Sequence, residues 1–311
     1  MRTSTASRTR FAEAPIRAAL AAALLLACAA ARAEGPIGAD GVLMLYPTAP
    51  GGGFSLGGRD PNATARFAIE KAVPAERSSE GGFAYWSLDS YPLDYASGGS
   101  GLTCRLHMYS SEAAQAFTWK TQGGFLSDPS APRDQEMTVF LRVRGRAVPK
   151  RSFVALKIRG GKHSSKSPEM SSCVMMNLEP ADTGHPARFG KELGHPLYDY
   201  VALAPRFDAS LVEGEWIGLK LVSYSDPSDP ARVVNRLYLC LAPIGPDGAI
   251  RNDWRLFSEY VDVEGKRTGR YSKLVDWSGW QTTVRIDGYR EVDFALPSLR
   301  SIVAPRGEGG R

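Results

Sequence analysis

The densest collection of side chains able to do chemistry lies between Lys157 and Tyr200. It opens on Lys157-Ile158-Arg159-Gly160-Gly161-Lys162-His163, a basic strand end with two glycines. It closes on Lys191-Glu192-Leu193-Gly194-His195-Pro196-Leu197-Tyr198-Asp199-Tyr200, where a cation, an acid, a histidine and two phenols fall within ten residues. In extended chain Lys157, Arg159 and Gly161 alternate onto one face. A guanidinium there can grip a carboxylate with two prongs. These residue types fit β-elimination from a uronic-acid polymer, which needs the carboxylate neutralised, the C5 proton removed and the leaving oxygen protonated. In that scheme Arg159 neutralises, His163 or His195 is the base, and Tyr198 or Tyr200 is the acid. Lys157, Lys191 and Glu192 bind or support the substrate. Tyr, His and Arg also serve sugar-binding faces that do no chemistry, so a non-catalytic glycan-binding or envelope protein is the alternative from a different class.

Further candidates lie outside this stretch. In Met137-Thr138-Val139-Phe140-Leu141-Arg142-Val143-Arg144, Met137, Val139, Leu141 and Val143 share the face suited to a core. Arg142 and Arg144 on the other face would wall a sugar-binding groove. Trp277 and Trp280, in Asp276-Trp277-Ser278-Gly279-Trp280-Gln281, sit in a polar loop and are candidate stacking platforms for pyranose rings. Trp216 and Trp254 fall inside apolar strands and read as core. His107 reads as a packed strand residue and His185 as a loop residue.

Several chemistries lack their motif. Glu291-Val292-Asp293-Phe294-Ala295-Leu296 lacks the second acid of a paired-carboxylate glucanase strand. No G-x-S-x-G occurs, and the absence of C-x-x-C argues against structural zinc. The acid-rich turns Asp226–Asp229 and Asp247–Asp253 are explained by turn chemistry. No metal and no cofactor is expected.

The elements that must position these groups are short β-like runs: Thr138–Val143, Phe153–Ile158, Trp216–Tyr224, Val233–Leu241, Trp254–Val261 and Thr282–Ile286, rich in β-branched and aromatic residues. Gly245-Pro246-Asp247-Gly248 and Asp226-Pro227-Ser228-Asp229-Pro230 separate neighbouring runs as hairpin connections. One short helix is expected around Glu112–Trp119. This spacing predicts an all-β antiparallel sandwich or jelly roll forming a single domain over 34–304, followed by a polar tail from Pro305.

Residues 1–33 have the form of a signal peptide, with Arg2, Arg8, Arg10 and Arg17 before the apolar run Ala18–Ala31 and an Ala31-Arg32-Ala33 cleavage signal. A rival reading makes Leu25-Leu26-Ala27-Cys28 a lipobox with Cys28 retained. The apolar run is too short to span a bilayer, so a periplasmic or extracellular protein with no membrane span is expected. Lys and Arg number 38 against 33 Asp and Glu, but most of that excess lies in the leader. The remainder is nearly neutral, and bulk charge gives no support to nucleic-acid binding. A polysaccharide or other glycan is the expected partner. Beyond the leader, Cys104, Cys173 and Cys240 make an odd count, read as one disulfide and one spare thiol with three possible pairings.

At these residues the chain resembles a group of secreted, largely uncharacterised β-sandwich proteins of the concanavalin-A-like jelly-roll type. The resemblance runs through Asp60-Pro61-Asn62 with Arg66-Phe67, Gly124-Phe125-Leu126, Glu136-Met137-Thr138, Arg159-Gly160-Gly161-Lys162-His163, Cys173, and Lys191-Glu192 with His195 and Tyr198. It continues through Trp216-Ile217-Gly218-Leu219-Lys220, Val284-Arg285-Ile286-Asp287 and Val292-Asp293-Phe294. It implies the fold, and more distantly a similarity to alginate and glucuronan lyases of jelly-roll type, whose Q-[IV]-H and Y-F-K-A-G motifs are not reproduced. Similar proteins carry a late cysteine available to Cys173, and Val263–Trp280 has none here. The resemblance therefore implies that Cys173 is the spare thiol and that Cys104 pairs with Cys240.

Overall fold

Alternation decides which face of each strand is buried, and the Met137–Val143 run shows it. Met137, Val139, Leu141 and Val143 are all fully buried in the main core, while Arg142 and Arg144 point away from it. The six expected runs are all strands of a sandwich of two antiparallel sheets, seen in a computed structural model. It describes residues 35–78, 81–95, 100–112, 121–122, 125–126, 131–161 and 168–305. The expected leader with Cys28, most of the short helix including Trp119, His163, and the tail beyond 305 lie outside the described residues.

The first sheet runs β16 (Trp254–Val263), β15 (Arg232–Leu241), β14 (Ile217–Ser225), β9 (Gln135–Arg146), β18 (Tyr289–Ile302), β4 (Ala84–Asp89) and β3 (Ala75–Ser78), with β1 (Thr48–Ser55) also paired to β18. The second runs β13 (Tyr198–Leu203), β12 (Ala187–Glu192), β11 (Cys173–Leu178), β10 (Phe153–Gly160), β17 (Gln281–Asp287), β6 (Ser100–Tyr109) and β2 (Phe67–Ile69), with β5 (Tyr91–Asp94) paired to β6. A two-stranded ribbon of β7 (Thr121–Gln122) and β8 (Phe125–Leu126) stands apart. This is the expected all-β jelly-roll sandwich. The turns at 226–230 and 245–248 join antiparallel neighbours as predicted, and the Asp226, Asp229 and Asp247 carboxylates cap backbone N–H groups within them.

One main core fills the space between the sheets, and two smaller clusters lie on the far side of the first sheet. Trp254 is buried and Trp216 partly so, but in that outer cluster with Phe83, Phe140 and Cys240 rather than between the sheets. The segment from Gly35 to Pro47 lies across this outer face. Lys220 Nζ donates to Leu43 O (3.0 Å) and pairs with Glu136 (2.7 Å), Leu45 N–H donates to Glu136 (3.0 Å), and Asp40 grips Arg300 at 2.9 and 3.1 Å.

The expected Cys104–Cys240 bridge is corrected. Cys104, Cys173 and Cys240 are three buried free thiols. Cys104 faces the inter-sheet core from β6, whereas Cys240 faces outward from β15 among Phe140 and Trp254. A whole sheet separates them, beyond the short Cβ–Cβ reach of a disulfide. Burial pushes the Cys240 thiol up to about 11 and the Cys173 thiol up to about 12.

Candidate functional site

The outer face of the second sheet carries a cleft of about 730 Å³. Register assigns its floor. Arg188 (β12), Asn177 (β11), Ala155 (β10), Arg285 (β17) and Arg105 (β6) lie opposite one another in a single cross-strand row. Two residues along the strands lies a second row of Tyr200, Gly190, Met175, Lys157, Thr283 and His107. Tyr200 packs on a position only glycine can occupy, since a Cβ on Gly190 would stand 2.7 Å from its ring.

Side chains meet over this floor from distant strands. Arg285 Nη1 donates to Tyr198 Oη at 3.4 Å although β10, β11 and β12 lie between their strands. On a flat sheet those strands would be roughly 19 Å apart, so the contact requires a concave face. Asp287 holds Arg285 through Nε (3.0 Å) and Nη2 (2.7 Å). Burial opposes the Arg285 charge, and Asp287 more than offsets it, holding the guanidinium above its ordinary value. The rings of Tyr198 and Tyr200 run parallel, with centroids 6.3 Å apart, and His195 meets Tyr198 edge-on.

Glu192 is the hub beneath the tyrosines. Its Oε2 accepts from Lys157 Nζ at 2.5 Å and from Cys173 Sγ at 3.7 Å, and its Oε1 lies 2.8 Å from His195 Nδ1. Lys157 also stands 5.3 Å from the Tyr198 ring centre. Burial opposes the Lys157 charge, but neighbouring Cys173, Glu192 and Tyr198 hold it above its ordinary value. Burial pushes both Tyr198 and Tyr200 up, so both are protonated phenols at neutral pH.

Thus Lys157, Glu192, His195, Tyr198 and Tyr200 come together, and five other expected site residues stand elsewhere. Arg159 is corrected first. A bulge between Lys157 and Gly160 breaks the alternation, and Arg159 adopts φ 59°. Its fully buried side chain turns into the sandwich, to Ser223 Oγ (2.8 Å) and Asp134 Oδ1 (3.0 Å), and burial lowers it to about 10. Lys191 lies on the inner face of β12 and pairs with Asp262 of the opposite sheet at 2.7 Å. Arg142 lies on the outer face of the other sheet, paired with Asp293 at 2.7 Å and stacked 5.0 Å from the Trp216 ring centre. Trp277 is no exposed platform. It is buried in the main core with its indole N–H on Ser172 O, and Trp280 packs beside that core.

Sequence reasoning missed Arg105, Asn177, Arg188 and Arg285. The alternation Thr283, Arg285, Asp287 against Val284, Ile286 in an assigned strand was the signal for Arg285. A second polar group borders the cleft. His107 lies 3.0 Å from both Thr283 Oγ1 and Gln281 Nε2, and 3.6 Å from Glu70, which also pairs with Arg105 at 3.2 Å. The neighbouring His107 ring holds the Glu70 carboxyl down at about 2; burial opposes this and Arg105 adds to it. Burial lowers His107 itself, against the pull of Glu70.

No family model and no curated protein sequence matches the chain. Among solved structures it is similar to an endo-β-1,4-glucuronan lyase from the fungus Trichoderma reesei, with 12% identity over 75% of this chain and 88% of that one and a TM-score of 0.40. It is similar to a galectin-like protein of unknown function from Bacillus subtilis, with 8% identity, 81% and 96% coverage and a TM-score of 0.42. It is also similar to an alginate lyase from Aplysia kurodai, with 6% identity, 75% and 90% coverage and a TM-score of 0.38. At this distance the likenesses carry no residue roles, and any function has to be argued from the cleft itself.

Proposed function

We propose that the cleft holds an acidic polysaccharide and cleaves it by β-elimination, in a protein exported to the periplasm or the cell exterior. The observation that carries this reading is the meeting of Tyr198, Arg285 and the Glu192-held imidazole of His195 over one concave floor. Arg285 turns from Tyr198 to the carboxylate of the reacting uronate, and its charge stabilises the anion that develops there. Glu192 accepts from His195 Nδ1–H, so the neutral ring carries its lone pair on Nε2, and that nitrogen removes the C5 proton. The C5–H electrons form the C4–C5 double bond as the C4–O4 bond breaks. The Tyr198 phenol, kept protonated by its burial, gives its proton to O4. Proton exchange with water then restores imidazole and phenol. Arg188, paired with Glu179 at 3.1 Å, takes the carboxylate of a neighbouring sugar. The leader expected at 1–33 supports export.

The test is ultraviolet absorbance of the unsaturated product while purified protein meets alginate, polyglucuronate and pectate, with polymer retention followed in parallel. A rise with one polymer that His195→Ala and Tyr198→Phe each abolish, retention being kept, is the expected result. Retention with a flat trace for the unmutated protein would replace elimination with the non-catalytic glycan-binding reading. That reading draws on the pairing of each floor arginine with an acid of its own: Arg188 with Glu179, Arg285 with Asp287 and Arg105 with Glu70.

A further inference from the structure

Asn177 stands in the middle of the cleft floor, between Arg188 and Ala155 in the cross-strand row, and is only 3% exposed. Its two amide atoms are not equivalent. Glu179, two residues on along the same strand direction, lies beside the Asn177 side chain and pairs with Arg188 Nε at 3.1 Å. Only the Nδ2 end suits a neighbouring carboxylate, which leaves the carbonyl Oδ1 as the end without a protein partner. That Oδ1 is buried and has no hydrogen-bond partner. Buried acceptors in folded proteins are almost always satisfied, and one left bare is destabilising. Turning the amide over would not help, because it would set Oδ1 against the Glu179 carboxylate.

The surroundings say what could reach this carbonyl. Asn177 itself lines the cleft, with Arg188 and Arg285 in the same row. Arg285 and Tyr198 close over the floor from opposite sides through a long 3.4 Å contact. A carboxylate bound by Arg285 would replace this contact with the phenol. Oδ1 lies in the row between Arg285 and Arg188 and can accept only from a donor.

We infer that Asn177 is a specificity-determining residue of the cleft, whose Oδ1 accepts a hydrogen bond from a free hydroxyl of the acidic sugar bound between Arg285 and Arg188. This rests on the reading of the cleft as an acidic-glycan site and adds a selection rule to it. The site takes a uronate with that hydroxyl unmodified and rejects one esterified there. Sites built to bond a hydroxyl discriminate strongly against analogues lacking it, because the site's own polar group is then left unpaired.

The experiment takes whichever of alginate, polyglucuronate and pectate the unmutated protein holds best and compares its retention with that of the same polymer after O-acetylation, for the unmutated protein, Asn177→Ala and Asn177→Ser. Acetyl groups that clash elsewhere affect all three proteins alike, so the reading is the difference in discrimination. The expected result is that acetylation weakens retention by the unmutated protein about tenfold or more, and that Asn177→Ala loses most of this preference. If Asn177→Ala does not fold, Asn177→Ser supplies the same comparison with a shorter polar side chain that does not reach the hydroxyl. Equal discrimination by variant and unmutated protein would overturn the role of Asn177 and leave the glycan site standing. Equal retention of both polymers by the unmutated protein would do the same. Failure of the unmutated protein to retain any of the three polymers would overturn the glycan site and this inference together.

Discussion

The outer faces of the two sheets solve the same problem in opposite ways. Both carry buried ion pairs: Lys220–Glu136 and Arg300–Asp40 on the first sheet, Lys157–Glu192 and Arg285–Asp287 on the second. On the first sheet the segment from Gly35 to Pro47 is laid over the charges and shares their hydrogen bonds, with Leu43 O and Leu45 N–H taking up Lys220 and Glu136. Phe83, Phe140 and Trp254 seal the rest. On the second sheet the described ion-pair partners are side chains, and the face above carries the cleft. Buried charge therefore does not mark a site by itself. What differs is whether main chain or open space lies over it.

That contrast can be broken by mutation, and the largest effect is expected on the open face. If the cleft is catalytic, His195→Ala should lower the rate of product formation by about 10²–10⁴-fold, the usual contribution of a general base. Its urea midpoint should stay close to that of the unmutated protein, since its ring is partly exposed. On the sealed face the pattern reverses. Lys220→Ala leaves Glu136 buried without its cation and should cost about 3–5 kcal/mol in urea unfolding, with polymer retention by the remaining folded protein unchanged.

Glu70, at the border of the cleft, sharpens the comparison through pH. Its carboxyl is held at about 2, below its ordinary value near 4.5, first by the neighbouring His107 and then by Arg105. A depressed carboxyl contributes stability that is fully present above the unfolded value and is lost as pH falls from there through the folded one. Acid unfolding of Glu70→Gln should therefore lose less stability between about pH 4.5 and 2 than the unmutated protein, by roughly 1–2 kcal/mol, discounted for partial exposure. The smallest effect is expected from reductant. With Cys104, Cys173 and Cys240 all as thiols, the melting temperature should be the same with and without dithiothreitol. A fall of several degrees on reduction would reinstate a bridge.

Particular residues show how much of this was legible beforehand. The strands around Leu141, Leu156, Leu221, Leu239 and Ile286 were readable because burial on one face leaves a period of two in the sequence. The strands Cys173–Leu178, Ala187–Glu192 and Tyr198–Leu203 were hidden because their polar outer residues looked like one loop of chemistry. Lys191 and Glu192 are adjacent in sequence, and the pleat sends one into the interior and the other under the cleft. The stretch Asp276–Gln281 looked polar enough to be exposed, yet it folds back so that Trp277 fills the core.

The sequence by itself determined that this chain is an all-β sandwich, and it named five of the polar residues that share one cluster: Lys157, Glu192, His195, Tyr198 and Tyr200. Those are consequences of local pattern, because side-chain direction in a strand is set by the residue's own place in the alternation. Only the tertiary structure decided that Arg159 leaves that face, that Arg285 and Asn177 join it, and that Arg142 lies on the other side of the molecule. The first depends on a bulge that shifts the pleat by one residue. The others depend on which strands become neighbours and on the curvature that lets Arg285 reach Tyr198 across three strands. Such contacts join residues far apart in the chain, and no spacing within the sequence encodes the distance between them.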